Sequence, residues 1–77
     1  MLGLRPPNIE RLTEKADVEG LIKALGYERD PAIRASAAQA LAAFPSPEVL
    51  KALRETLEDP APEVRQAAVR ALATVGK

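Results

Sequence analysis

The sequence contains no cysteine, no histidine and no tryptophan. Those absences exclude thiol and imidazole nucleophiles, histidine general bases, disulfides and the usual zinc ligands. Tyr27 and Phe44 are the only aromatic residues, too few to stack a run of bases. Neither sign of charge prevails, because eleven basic residues balance eleven acidic ones in a chain of 77. No bulk field therefore draws the chain to nucleic acid or to an anionic membrane. No apolar run approaches the roughly 18 residues of a membrane helix, and the stretch from Met1 to Pro7 is too short in apolar residues for a secretion signal. The four glycines never cluster, so no phosphate-cradling loop is present. These absences predict no nucleic-acid partner, no membrane partner, no cofactor and no metal, in a cytoplasmic protein.

What the sequence does have is alanine and leucine, fifteen and ten residues respectively, against nine for valine, isoleucine and phenylalanine together. This is helix composition, with a core of small side chains that lets helices approach closely. Start and stop signals divide the chain into five helices. The first follows Pro6-Pro7 and runs from Asn8 to Ala16, with Ile9 and Leu12 as its apolar stripe. Asp17 caps a second, Val18 to Leu25, which Gly26 is placed to end in a left-handed conformation. Asp30-Pro31 opens a third that stops before Pro45, because proline is tolerated at the first helical position and not inside. Ser46-Pro47 opens a fourth, ending near Glu58. A fifth starts around Ala61-Pro62 and ends near Val75. No strand alternation is visible.

The third and fifth helices are copies of one another. At a shift of 31, Pro31, Arg34, Ala37, Ala40, Leu41 and Ala42 recur as Pro62, Arg65, Ala68, Ala71, Leu72 and Ala73. At a shift of 32, Val18, Leu21 and Leu25 meet Leu50, Leu53 and Leu57. Recurrence at this period marks a stacked repeat architecture. On a helical wheel Ile33, Ala37, Ala40, Leu41 and Phe44 share the side that a core would bury. Ala35, Gln39 and Ala42 lie opposite, as do Gln66, Arg70 and Ala73 in the second copy.

The carboxylates are the remaining candidates for acid–base work. Glu55, Glu58, Asp59 and Glu63 cluster near one turn, but a catalytic pair needs a pocket that drives two pKa values apart. Asp30, Asp59 and Glu63 suit capping and the helix macrodipole instead. The sequence therefore predicts no catalytic residue and no enzyme activity. Gly20, inside a helix, costs roughly 1 kcal/mol against alanine, which points to close approach of a neighbouring helix.

The run Leu57-Glu58-Asp59-Pro60-Ala61-Pro62-Glu63-Val64-Arg65-Gln66-Ala67-Ala68-Val69-Arg70-Ala71-Leu72 resembles the HEAT-repeat family, in particular its short, phycobilisome-lyase-like form. Leu25 to Leu41 is a looser copy, with Gly26-Tyr27-Glu28-Arg29 in the turn, and the resemblance covers about Asp17 to Gly76. It implies an all-α fold: a short right-handed solenoid of two helix pairs behind a capping helix. The expected organisation is one domain, with an N-terminal arm and capping helix over 1–16, a first repeat over 17–44 and a second over 46–76.

The resemblance also implies an acid six residues before the arginine of each second helix, a pair that supports the turn and links neighbouring repeats. Asp59 and Arg65 match this, and Glu28 and Arg34 match it with a longer acid. These four are read as a structural ladder rather than an anion site.

The expected function is non-catalytic protein binding by a small scaffold or adaptor, through a preorganised surface. The second helix of each pair lines the concave face in this family, so the candidate binding residues are Gln39, Gln66 and Arg70 on that face, with Tyr27 and Arg29 on the turn edge. The alternatives are a bilin-lyase-like or nucleic-acid-binding member, and a purely structural homo-oligomer. No residues like those of the capping helix follow Val75, so a C-terminal flank including Leu50, Leu57 and Val69 is expected to be uncapped and open to self-association, to further repeats of a longer array or to docking on a larger protein. Seven prolines, one asparagine, one methionine and an excess of arginine over lysine, seven to four, suit a thermostable protein.

Overall fold

A computed structural model describes residues 5–76. Residues 1–4 of the expected N-terminal arm, and Lys77, lie outside the described residues. Five helices and no strand are present among those described: α1 (Ile9–Glu14), α2 (Val18–Ala24), α3 (Pro31–Leu41), α4 (Pro47–Thr56) and α5 (Pro62–Val75).

The first four helices start where a side chain satisfies an orphan amide, and α5 starts at Ala61 without a side-chain cap. The carboxylates of Asp17 and Asp30 accept from the amides of Gly20 and Ala32, and the Ser46 hydroxyl accepts from Val49 N–H. Asn8 does the same for Arg11, so it is the cap of α1 rather than its first residue. Proline stands at the start of α3, α4 and α5, where its missing N–H is not needed.

The helix ends depart from expectation at two places. Gly26 does not adopt the left-handed conformation. The chain leaves α2 through four-residue turns instead, Gly26 N–H to Lys23 O and Tyr27 N–H to Ala24 O, without a left-handed residue. Ala16 takes the left-handed conformation, at φ 53°. Around it Asp17 N–H donates to Leu12 O at 2.9 Å and Ala16 N–H to Thr13 O at 3.0 Å, the bond pattern of a Schellman ending. This tight reversal delivers Asp17 directly to the start of α2.

The helices lie in two layers. In one, α3 packs along α5 and α1 packs on α3. In the other, α2 meets α4. Across the layers α2 packs on α3, α4 on α5 and α1 on α2. The Cα atoms span 41 × 28 × 16 Å, and the short dimension is what two layers of helices occupy. Leu21, Leu41, Leu53, Val49 and Val64 are fully buried between the layers. Alanines fill the α3–α5 contact: Ala37, Ala38, Ala67, Ala68 and Ala71 are all buried. Small side chains here let the two helix backbones approach, as the composition predicts.

The buried side of α3 is rotated from the expected one. Arg34, Ala37, Ala38 and Leu41 are buried, while Ile33, Ala40 and Phe44 are only half-buried. Ala35 and Ala42, expected to face outward, are half-buried against the core cluster. The cause is that α3 is covered by α5, α2, α1 and α4, whereas a wheel with a single apolar side assumes one neighbour. Gly20 permits the contact of α2 with α1: a Cβ there would stand 2.8 Å from Leu12 Cδ2, closer than packed carbons come.

Candidate functional site

Arg34 makes more side-chain hydrogen bonds than any other of the described residues. It sits one turn into α3 and is buried. Its Nε donates to Asp59 Oδ2 at 2.9 Å and its Nη2 to Asp59 Oδ1 at 3.0 Å. Its Nη1 donates to the carbonyls of Tyr27 and Glu28. One guanidinium thus ties α3 to its own preceding turn and to the turn before α5. Asp59 Oδ1 also accepts from Ala61 N–H, which shapes the entry to α5. The Arg34 hydrogen bonds hold the Asp59 carboxyl below its ordinary range, against the opposing effect of burial. The Asp59 hydrogen bonds push the Arg34 guanidinium up.

The six-residue spacing joins these residues differently from the expectation. Arg65 donates through Nη1 to the carbonyls of Asp59 and Pro60, not to the Asp59 carboxylate. Glu28 likewise offers Arg34 its carbonyl and not its side chain. Each arginine binds the backbone of its own turn, and the Asp59 carboxylate crosses to Arg34. Arg34–Asp59 is the only ion pair among the described residues. Four of the five N–H donors of Arg34 are engaged within the protein, so no parallel pair is left for a two-point grip on an external anion. Arg65 is exposed.

The other candidate residues fall on two surfaces. Gln39 on α3, and Gln66 and Arg70 on α5, are exposed on helices that pack side by side. Gln39 and Arg70 are related by the 31-residue recurrence, so they occupy equivalent places on adjacent helices. Next to Gln39, α1 and α3 leave a shallow groove of about 530 Å³ with Glu10 and Glu14 on one wall. This face is therefore acidic at its α1 end and carries Arg70 toward α5.

Tyr27 is half-buried and Arg29 exposed, in the turn between α2 and α3. Tyr27 is not part of the α3–α5 face. It lines a larger groove between α1 and α2, of about 580 Å³. Sequence reasoning did not reach that groove, because the docking of α1 on α2 through Gly20 creates it. The signal for it is Gly20 itself, together with Arg11 and Lys15 at helical spacing and Lys23 on the next helix.

On the expected C-terminal flank, Leu50 and Leu57 are half-buried, and Val69 is 55% exposed. It is the one large hydrophobic residue so exposed among those described. No described helix is long and apolar enough to cross a membrane.

Neither a curated protein nor a solved structure matches the chain. A family model for HEAT repeats matches residues 18–77, from the start of α2 onward. That span takes in α2 to α5, the recurrent helices and the arginine-held turns, and the chain belongs to the HEAT-repeat family.

Proposed function

We propose that the chain is a non-catalytic protein-binding module, a small scaffold or adaptor that recognises a protein partner through a preorganised helical surface. The observation that carries this is the α3–α5 face. Two helices held side by side by buried alanines present Gln39, Gln66 and Arg70 to solvent. Such a face loses little conformational freedom on binding. HEAT repeats commonly serve as protein-interaction modules, which supports the same reading. We place the chain with the short, phycobilisome-lyase-like repeats on its 31- and 32-residue recurrence. Its architecture is then a right-handed solenoid of two helix pairs behind α1, in one domain.

The test is binding by a double variant, Gln66→Glu with Arg70→Glu, compared with the wild-type chain. Proteins retained from lysate by the wild type are identified, and the direct partner is purified and titrated. Weakened binding with an unchanged helical circular dichroism spectrum supports the reading. Undiminished binding removes this face from it.

A second reading is favoured by Val69, which stands 55% exposed on α5. In it the chain pairs with a second copy through the C-terminal flank. Light scattering over a concentration series decides: a dimer that Val69→Lys dissociates supports self-association, and a constant monomer mass rejects it.

A further inference from the structure

The groove between α1 and α2 differs in charge from the two grooves that flank it. Arg11 of α1 and Lys15 at its C-cap, one helical turn apart, form one side, and Lys23 of α2 lies on the other. Leu12, Ala24 and Tyr27 supply the apolar lining between them. None of the three cations is in an ion pair among the described residues. Asp17 is the one acid lining the groove, and its Oδ1 is already engaged by Gly20 N–H. By contrast, the groove between α1 and α3 carries Glu10 and Glu14, and that between α2 and α4 carries Glu55, Glu58 and Asp59. A chain of zero net charge has thus gathered cations around the α1–α2 groove and acids around two others.

We infer that the α1–α2 groove docks an acidic segment of a protein partner, one that places a large apolar side chain against Leu12, Ala24 and Tyr27 and carboxylates beside Arg11, Lys15 and Lys23. The volume of about 580 Å³ lies within the range of sites that hold a compact ligand or a few side chains. The long stems of lysine and arginine extend the apolar lining while their heads stay hydrated at the rim. The acids of the flanking grooves repel the same segment there, and the groove of Leu50, Arg54 and Val75 offers it one cation against three here. This surface is separate from the α3–α5 face, and either can fail without the other.

The experiment uses the full chain, isotope-labelled for NMR, and a short peptide with one leucine face and one glutamate face. The expected result is a set of amide shifts centred on Leu12, Gly20, Ala24 and Tyr27, with Gln39 and Gln66 unmoved. Arg11→Glu with Lys23→Glu weakens binding by about tenfold or more and gains affinity for the same peptide carrying lysine in place of glutamate. Both variant sites are exposed, so the helical spectrum is unchanged. No shifts with the glutamate peptide overturn the inference. So do shifts confined to the α3–α5 face, or equal binding of glutamate and glutamine peptides. Binding of vesicles of anionic phospholipid without binding of the peptide overturns it in favour of a membrane. A concentration-dependent mass that the double variant abolishes overturns it in favour of a second copy.

Discussion

Arg34 and Asp59, 25 residues apart in the chain, share a two-point ion pair whose contacts are 2.9 and 3.0 Å long. The side chains of both are 9% exposed. Parallel donation from a planar guanidinium fixes direction as well as distance, so the pair sets how the turn before α5 sits on the start of α3. The neighbouring carbonyls of Tyr27 and Glu28 use the remaining guanidinium edge. No buried side-chain polar atom among the described residues is left without a partner, which is the condition under which a buried pair stabilises rather than costs.

Removing one partner leaves the other buried and unpaired. Asp59→Asn or Arg34→Met is expected to lower unfolding free energy by about 2 kcal/mol or more. Arg65→Met removes only exposed hydrogen bonds to the Asp59 and Pro60 carbonyls and should cost about 1 kcal/mol or less. Urea titrations of the three variants give the order. Equal losses at Arg34 and Arg65 would show that the carboxylate adds nothing to the carbonyl contacts.

The same pair predicts an acid-labile fold. The folded carboxyl of Asp59 is held below its unfolded value by Arg34, so the unfolded chain binds more protons in the interval between the two. Its contribution is therefore complete above the unfolded value, near pH 4, and is lost as pH falls through the folded one. The raised guanidinium of Arg34 contributes fully below its unfolded value and is lost only in strong alkali. Melting temperatures from about pH 2 to 7 should fall on the acid side, and Asp59→Asn should flatten that limb. An acid limb of unchanged slope in the variant would assign it to other carboxylates.

A third expectation concerns the turn between α1 and α2. Ala16 occupies the left-handed region at φ 53°, where a Cβ crowds the following carbonyl. Glycine there relieves the crowding and frees the unfolded chain somewhat, so Ala16→Gly is expected to raise stability by about 0.5–1 kcal/mol. Thermal melts check the sign. The same change at Gly26's neighbour Leu25, whose φ is −61°, should destabilise.

The contrast between Ala16 and Gly26 shows how the sequence informs and where it stops. Asp17, Asp30 and Ser46 were legible as caps because a side-chain oxygen reaches an amide two or three residues on, a local matter. The recurrence of α3 in α5 was legible because stacking repeats demand the same buried positions twice. Gly26 misled, since a glycine permits a left-handed ending without requiring one, while the Schellman bonds around Ala16 impose it. The partner of Asp59 was out of reach for a different reason. Spacing along the chain placed it near Arg65, but the stacking of one turn on the next brings Arg34 to it. The buried side of α3 turned toward Ala38 because several helices surround it, and no single wheel carries that information. The α1–α2 groove depends on how α1 docks, which six residues of helix do not announce.

The last expectation tests the alanine-filled contact that supports the α3–α5 face. Ala38 and Ala68 are fully buried, and α3 lies against α5 along its length. Added methyl groups at such a contact find no space and push the helices apart or force poor rotamers. Ala38→Leu or Ala68→Val should therefore destabilise by about 1–3 kcal/mol, although leucine is itself a good helix former. Ala43, exposed just beyond the end of α3, serves as the control, and Ala43→Leu should be near neutral. If Ala38→Leu leaves the urea midpoint unchanged, the helices have room to spare. The face carrying Gln39, Gln66 and Arg70 would then be adaptable rather than preorganised, and the proposed mode of recognition would change with it.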